Sequence, residues 1–325
     1  MLAKALKIGT RGSPLALWQA NWVAEALRTL HHGLDVALVE IKTHGDRDRN
    51  TPLAQIGGLG LFTKEIQRAL IEGAVDVAVH SLKDLPTQGP ATLILGAIPE
   101  REDLADALIA PRYLTLDNLP DGATVGTGSL RRRAQLLHLR PGLIVVGVRG
   151  NVETRLNQAL EGKLDAVVLA EAGLHRLDLG KYVTERIGPP RFLPAVGQGA
   201  LGIECRSDDA TTLALLEPLN HFPTRRAVLA ERMALAELEG GCMIPLGAWG
   251  RDLEDGSLGL DVAVFDPDGR QRAFAARSGP REDPEGLGRS VAADLRQRGA
   301  EQLLRRTEVA ADTSVPTVKD GPFPP

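Results

Sequence analysis

With 325 residues the chain has room for about two domains or three small ones, and 43% apolar against 25% charged residues is the balance of an ordinary soluble protein. Its 38 Lys and Arg against 42 Asp and Glu leave a net charge of −4, which argues against nucleic acid as the main partner. No apolar run reaches membrane-spanning length, and two cysteines, Cys205 and Cys242, are too few for a disulfide framework or a four-cysteine metal site. MLAKALKIGT lacks the apolar stretch and small-residue cleavage site of a secretory signal, so the expected compartment is the reducing cytoplasm.

In chain order, ALKIGT reads as a short buried strand, and Ser13-Pro14 supplies an N-cap and a first-turn proline. Leu15, Trp18, Trp22 and Ala26 then recur at helical spacing and predict one apolar face. DVALVEIKT reads as a second strand. Gly57, Gly58 and Gly60 mark a mobile loop, and Phe62, Ile66, Ala69 and Leu70 share a face of the next helix. VDVAVH is a continuous apolar run, as expected of a strand covered on both sides. After Pro99 a second series, DALIA, ATVGT, LIVVGV and LDAVVLA, alternates with helices beginning near Ser129 and Asn151. That alternation predicts parallel α/β sheets. VGQGALGIEC over 196–205 reads as one more strand. From about Pro218 the order changes to a helix over 224–238, strands over 258–265 and 270–277, and a helix carrying Leu287, Val291 and Leu295. Turn signals at Asp255-Gly256 and Asp268-Gly269 make this part an antiparallel α+β unit. The proline-rich end, 313–325, has no periodicity and is expected to be disordered.

HSLKDLPT leaves the carboxyl end of a buried strand, where ligands of open α/β sheets bind. Lys83 and Asp84 are therefore candidates, although taken alone this segment is better explained as solvated loop charges. TGSLRRR puts Arg131, Arg132 and Arg133 in the first turn of a helix, against its dipole. The placement makes sense where guanidiniums meet bound carboxylates or phosphates. Three successive helical residues cannot face one ligand, so Arg133 is expected to face solvent. RGNVETR repeats the design, with Asn151 as cap, Arg149 before it and Arg155 one turn in. RGS, with Arg11 and Ser13, is a third such junction, and three together point to a polyanionic ligand in a cleft. ELEGGCMIP sets Cys242 on an open backbone between two glycines and a proline-stiffened turn. Its thiolate suits a nucleophile or a covalent attachment point, whereas Cys205 in LGIECR reads as a buried strand residue. No histidine cluster has metal-ligand spacing, and neither a Walker loop nor a GxGxxG fingerprint occurs.

Taken together, TRGSPLALWQA, GLFTKEIQRAL, VHSLKDLPT, VGTGSLRRR, VRGNVETRL, LPAVGQGALGIECR and ERMALAELEGGCMIPLG closely resemble the porphobilinogen deaminase family. The matching stretches run in order from residue 10 to residue 247. The resemblance implies an α/β fold of three domains: two lobes like those of a periplasmic binding protein flanking a cleft, and a smaller C-terminal α+β domain. On that basis 1–99 with 198–217 form the first domain, 100–197 the second, and 218–312 the third, with the return of the chain to the first domain implied by the family alone. The resemblance further implies a dipyrromethane cofactor joined to Cys242 by a thioether. Four porphobilinogens would add in turn with loss of ammonia, and the linear tetrapyrrole hydroxymethylbilane would leave by hydrolysis. Asp84 takes the catalytic position, as a buried carboxylate facing pyrrole N–H groups and stabilising a cationic electrophile. Cofactor-binding positions fall on Ser81, Lys83, Thr127, Ser129, Arg131, Arg132 and Arg155, and substrate-binding positions on Arg11, Ser13, Arg149 and Arg155. The family implies no metal, no nucleic acid and no membrane, and the default working form is a monomer.

Two departures stand out. Gln55 and Leu59 occupy places in the glycine loop where many family members carry lysines, and Gly128 replaces a frequent serine. The rival from another class is a non-catalytic polycarboxylate-binding protein on the same two-lobed fold. It explains the arginines but neither Asp84 nor Cys242.

Overall fold

Short apolar runs form the strands of two mixed five-stranded sheets, and a third, smaller sheet closes the chain. The computed structural model describes residues 5–43, 63–239 and 244–311. The expectations for the 55–61 loop, for Cys242 and for 313–325 fall outside the described residues.

The first sheet begins with β1 (Leu6–Thr10), α1 (Pro14–Leu30), β2 (Val36–Glu40), α2 (Lys64–Ile71), β3 (Val77–Ser81) and β4 (Leu93–Ala97). A single 3-10 turn, Leu82–Asp84, follows β3. The second sheet is built from β5 (Asp106–Ile109), β6 (Thr124–Gly126), α3 (Leu130–Leu139), β7 (Ile144–Val146), α4 (Val152–Leu160), β8 (Ala166–Ala170), α5 (Glu171–Arg176) and β9 (Glu185–Ile187). The chain then returns through β10 (Leu201–Arg206) and α6 (Ala210–Leu216). The C-terminal part comprises α7 (Phe222–Glu237), β11 (Leu246–Asp252), β12 (Leu258–Phe265), β13 (Arg272–Gly279), α8 (Pro284–Gln297) and α9 (Ala300–Ala311).

The first sheet has the order β2-β1-β3-β10-β4 and the second β7-β6-β8-β5-β9. Both are mixed, which corrects the expectation of parallel sheets: β10 runs antiparallel to β3 and β4, and β5 antiparallel to β8 and β9. The cause is connectivity, because a strand that enters a lobe from the linking segments runs against those joined by helical crossovers. The strand expected over 196–205 begins only at Leu201, and 196–199 form turns. Short strands β4, β9 and β11 carried no clear period and were not foreseen.

Helices cover both faces of each lobe sheet. On the first, Val23, Ala24 and Leu27 of α1 meet Ile8, Val77, Val79 and Ile203, while Ile66 and Leu70 of α2 pack on Val75 and Ala78. On the second, Leu136 of α3 joins Val125, Val145 and Val168, and Leu156 of α4 joins Ala107, Val146 and Val167. The face of α1 differs from the expected one. Gln19, Ala20, Val23, Ala24 and Leu27 are buried, whereas Trp18 and Trp22 are 38% and 40% exposed. Small residues let the helix lie close to the sheet, and the indoles are left on its flank. In the C-terminal unit Ala230 and Ala234 of α7 and Val291 and Leu295 of α8 pack on one face of the antiparallel sheet, as the spacing of Leu287, Val291 and Leu295 predicts.

The three units meet at one buried carboxylate. Glu231 of α7 is fully buried and receives both ends of the Arg101 guanidinium, at 2.8 and 3.1 Å. It also accepts the backbone N–H groups of Gly197 (2.8 Å) and Gly250 (2.9 Å). Arg101 Nε in turn donates to Gln198 O at 2.6 Å, so both linking segments and the C-terminal sheet share this group. Gly199 lies beside it with φ of 83°, and a Cβ there would sit 2.3 Å from Glu102 O, so only glycine fits this crossing. We expect Glu231→Ala to lower the unfolding free energy by about 3–5 kcal/mol, because it strands the Arg101 charge. Urea denaturation followed by circular dichroism measures this, and a loss below about 1 kcal/mol would remove Glu231 from its central place.

Candidate active site

Three helices present capped N-termini, each beside a cation. Ser13 Oγ accepts the N–H of Ala16 at 3.3 Å, Ser129 Oγ that of Arg132 at 3.4 Å, and Asn151 Oδ1 that of Thr154 at 2.8 Å. Thr127 Oγ1 accepts Ser129 N–H at 3.2 Å and so fixes the approach to α3. Gly128 stands where an added Cβ would come within 2.9 Å of Val148 O. In this chain a serine there would require the backbone to move.

Asp84 ends the 3-10 turn after β3, whose Leu82 is buried and anchors the turn. It lines a cavity of about 70 Å³ together with Arg11, Ser13, Gln19, Thr63, His80 and Ser81. The carboxylate is exposed, which corrects the expected buried one: the turn projects it away from the core. Gln19 was missed from the sequence, being a polar residue on the buried side of α1. Its amide donates to Ser81 Oγ at 2.9 Å, and the hydroxyl can return a bond at 3.2 Å. Beneath them His80 Nε2 lies 2.8 Å from Glu204 Oε2, and Glu204 also accepts Gln67 Nε2 at 3.0 Å.

The second lobe supplies the cations. Arg131 and Arg132 are both buried and share one carboxylate, Asp106. Arg131 NH1 donates to Asp106 Oδ2 at 2.6 Å and to Leu193 O at 2.7 Å, and its guanidinium lies 5.7 Å from the centre of the Phe192 ring. Arg132 Nε donates to Asp106 Oδ1 at 2.9 Å, and its NH1 to Val168 O at 3.1 Å. Burial pushes the Asp106 carboxyl up, but the two guanidiniums override it and hold the group at about 2. Asp106 was also missed. Its signal is an acid opening the fully apolar run DALIA, since a charge in a buried strand requires a partner. Arg155 Nε donates to Gly150 O at 2.8 Å, and burial together with the Arg132 charge lowers its pKa to about 10, with Asp84 pulling the other way and Arg149 adding to the lowering.

Lys83 completes the group from the first lobe. Burial is the main cause of a pKa lowered to about 8, with Arg132 and Arg131 adding to it and Asp84 and Asp106 opposing. Asp84 and Lys83 thus share one electrostatic neighbourhood with Arg131, Arg132, Arg149 and Arg155 across the lobes. Arg133 does not join them, nor is it in open solvent: it donates to Val145 O at 2.8 Å and lies 3.7 Å from Asp268. Cys205 is fully buried and burial raises its thiol to about 11, as a packed strand residue should be.

Two family models match the chain: "Porphobilinogen deaminase, dipyromethane cofactor binding domain" over residues 6–214, and "Porphobilinogen deaminase, C-terminal domain" over residues 225–297. Among curated relatives, the porphobilinogen deaminase of Desulforudis audaxviator is 50% identical over 310 residues, covering 95% of this chain and 100% of its own length. That of Syntrophotalea carbinolica is 48% identical over 316 residues, covering 97% and 100%. Among solved structures, the methionine binding protein MetQ superposes with a TM-score of 0.44 at 14% identity, covering 72% of this chain and 94% of that one. Immunogenic lipoprotein A from Vibrio vulnificus gives 0.42 at 13%, covering 70% and 99%.

The lowered Lys83 pKa has a signed consequence for stability. With the folded value at about 8 and the ordinary value at 10.5, the cost of burying the charged amine is fully present below pH 8. It is relieved as pH rises toward 10.5, because the unfolded chain then binds the extra proton. Lys83→Met should therefore gain stability over the parent at pH 7, and that gain should shrink by about 1 kcal/mol or more by pH 10. Urea unfolding of both chains at the two pH values measures it, and a pH-independent difference would contradict the assignment.

Proposed function

The chain belongs to the porphobilinogen deaminase family, and from that premise we propose how its own residues carry out the reaction. The enzyme is a hydroxymethylbilane synthase of tetrapyrrole biosynthesis: it condenses four porphobilinogen molecules with loss of ammonia and releases the linear tetrapyrrole. The dipyrromethane cofactor, when bound, supplies the pyrrole carbon from which the chain grows. The donor set suits such a group, because the exposed carboxylate of Asp84 stands among cations from both lobes. That convergence is the observation that carries the reading, since a mere polycarboxylate binder has no use for Asp84.

In this reading the units are 1–99 with 198–217, 100–197 and 218–312, and Cys242 of the third holds the cofactor. Ser81, Lys83, Thr127, Ser129, Arg131, Arg132 and Arg155 hold the cofactor's acetate and propionate groups. Arg11, Ser13, Arg149 and Arg155 hold those of the incoming porphobilinogen. Guanidinium matches carboxylate in a forked, two-bond geometry, so the arginines fix orientation as well as charge. Asp84 accepts hydrogen bonds from pyrrole N–H groups and stabilises the positive charge that develops as ammonia leaves the substrate. Its exposed position, with Gln19 and Ser81 ordering the floor beside it, leaves one face open to the incoming ring. The working form in this reading is a monomer. The buried Cys205 thiol and the lack of any other cysteine besides Cys242 suit a reducing cytoplasm.

The function is tested by the mass of the purified chain under denaturing conditions. An adduct of two pyrrole units is expected on the parent and on Cys205→Ser, and none on Cys242→Ser. An adduct that survives on Cys242→Ser would refute the attachment site.

Asp84→Asn keeps size and reach but removes the charge. We expect linear tetrapyrrole formation to slow by on the order of a hundredfold or more, with porphobilinogen KM changed little. Asp84→Glu should fall between the two, because it keeps the charge but displaces it by a methylene. Turnover within a few-fold of the parent for Asp84→Asn, in preparations matched for cofactor, would remove Asp84 from the reaction.

A further inference from the structure

Asp106 is not itself one of the positions assigned to substrate or cofactor, yet it holds two of them, Arg131 and Arg132. We propose that Asp106 is a positioning residue for the reaction: it locks Arg131 and Arg132 into one fixed pair and cancels one of their two charges, so that the growing polycarboxylate is held in register but can still advance. The inference deepens the proposed function and rests on it.

Three features support this. First, the carboxylate is saturated: Oδ2 takes Arg131 at 2.6 Å, while Oδ1 takes Arg132 Nε at 2.9 Å, Arg132 NH2 at 2.7 Å and Gln198 Nε2 at 2.9 Å. Asp106 is only 1% exposed, so it has no face for a ligand and its role must pass through its partners. Second, each guanidinium is also tied to a backbone carbonyl, Arg131 through the same NH1 to Leu193 O and Arg132 through its NH1 to Val168 O, which restricts how either can turn. Third, the charge balance matters to the neighbours. Arg132 already depresses Lys83 and Arg155, and without Asp106 the pair would carry two uncompensated charges beside them.

A reaction that extends a bound polyanion step by step needs cations strong enough to orient each carboxylate and weak enough to let it move on. Two full charges in a low-dielectric wall would hold the first carboxylates they meet. Gln198 adds a link to the segment returning from the second lobe. Its Nε2 also donates to Leu104 O at 2.8 Å, and its carbonyl accepts Arg101. The pair is thus set relative to the junction of the lobes and not to α3 alone.

The test uses cofactor-loaded enzyme and compares Asp106→Asn, Asp106→Glu and Gln198→Met with the parent. We expect Asp106→Asn to lower kcat by about tenfold or more while porphobilinogen KM stays equal or falls. Mass spectra taken after limiting substrate should show partly extended chains accumulating on the protein. Asp106→Glu should recover part of the lost kcat, because the negative charge returns. Gln198→Met, which removes one donor and no charge, should shift kcat in the same direction by a few-fold, and it serves where the Asp106 variants fold poorly. A raised KM with loss of cofactor in proportion to lost thermal stability would reduce Asp106 to a purely structural group, and parent-like chain-length distributions would overturn the proposal. A parent that makes no product would instead strike at the proposed function itself.

Discussion

The arrangement of the three units depends on the buried carboxylate of Glu231. A charge removed from water is tolerable only when each oxygen is satisfied, and here a guanidinium and two backbone N–H groups do so. Those partners come from both linking segments and from β11 of the C-terminal sheet. Few apolar contacts could impose this, because hydrophobic packing is indifferent to small slides whereas a four-donor carboxylate is not. The tie leaves the lobes separate cores, each closed by its own helices, and it works beside a second contact between them, where Arg176 of α5 lies over Trp18 of α1.

The site follows the same economy. It is built at helix N-termini, where backbone N–H groups already favour anions, and cations are added against the dipole. In isolation Arg131 and Arg132 would weaken α3. Asp106 offsets this from the start of the neighbouring strand, and the residual positive field faces the other lobe. The C-terminal unit packs on both lobes: Val228 joins Leu82, Leu85 and Ile98, and Ala263 and Phe265 join Ala134 and Leu193, while Arg232 donates to Leu85 O and Pro86 O and the ring of His138 in α3 lies 2.8 Å from Gly269 O.

Much of this was legible in the sequence because it is local. Caps at Ser13, Ser129 and Asn151, the turns at Gly256 and Gly269, and the inner face of α8 each depend on a few neighbouring residues. What was not legible depends on distant partners. The direction of β10 and β5 is set by where the chain re-enters a sheet, which no run of apolar residues encodes. The burial of Arg131 and Arg132 required Asp106, 25 and 26 residues away. The face of α1 was misread because tryptophan counts as apolar in a periodicity, while close packing on the sheet selected the smaller Ala20, Val23 and Ala24. Arg176, unremarkable in the sequence, is buried against Trp18 at 5.8 Å and donates to Gly199 O.

The place of β10 between β3 and β4 also governs how the protein can be made. As the chain leaves the ribosome, the first lobe has strands β1 to β4 and their helices complete, yet its sheet cannot close. The slot between β3 and β4 is filled only by residues 201–206, synthesised after the whole second lobe. Until then two strand edges stand unpaired, an invitation to wrong partners during translation. The second lobe, continuous between its linking segments, is free to fold first, so that the part of the enzyme begun earliest is the part finished late.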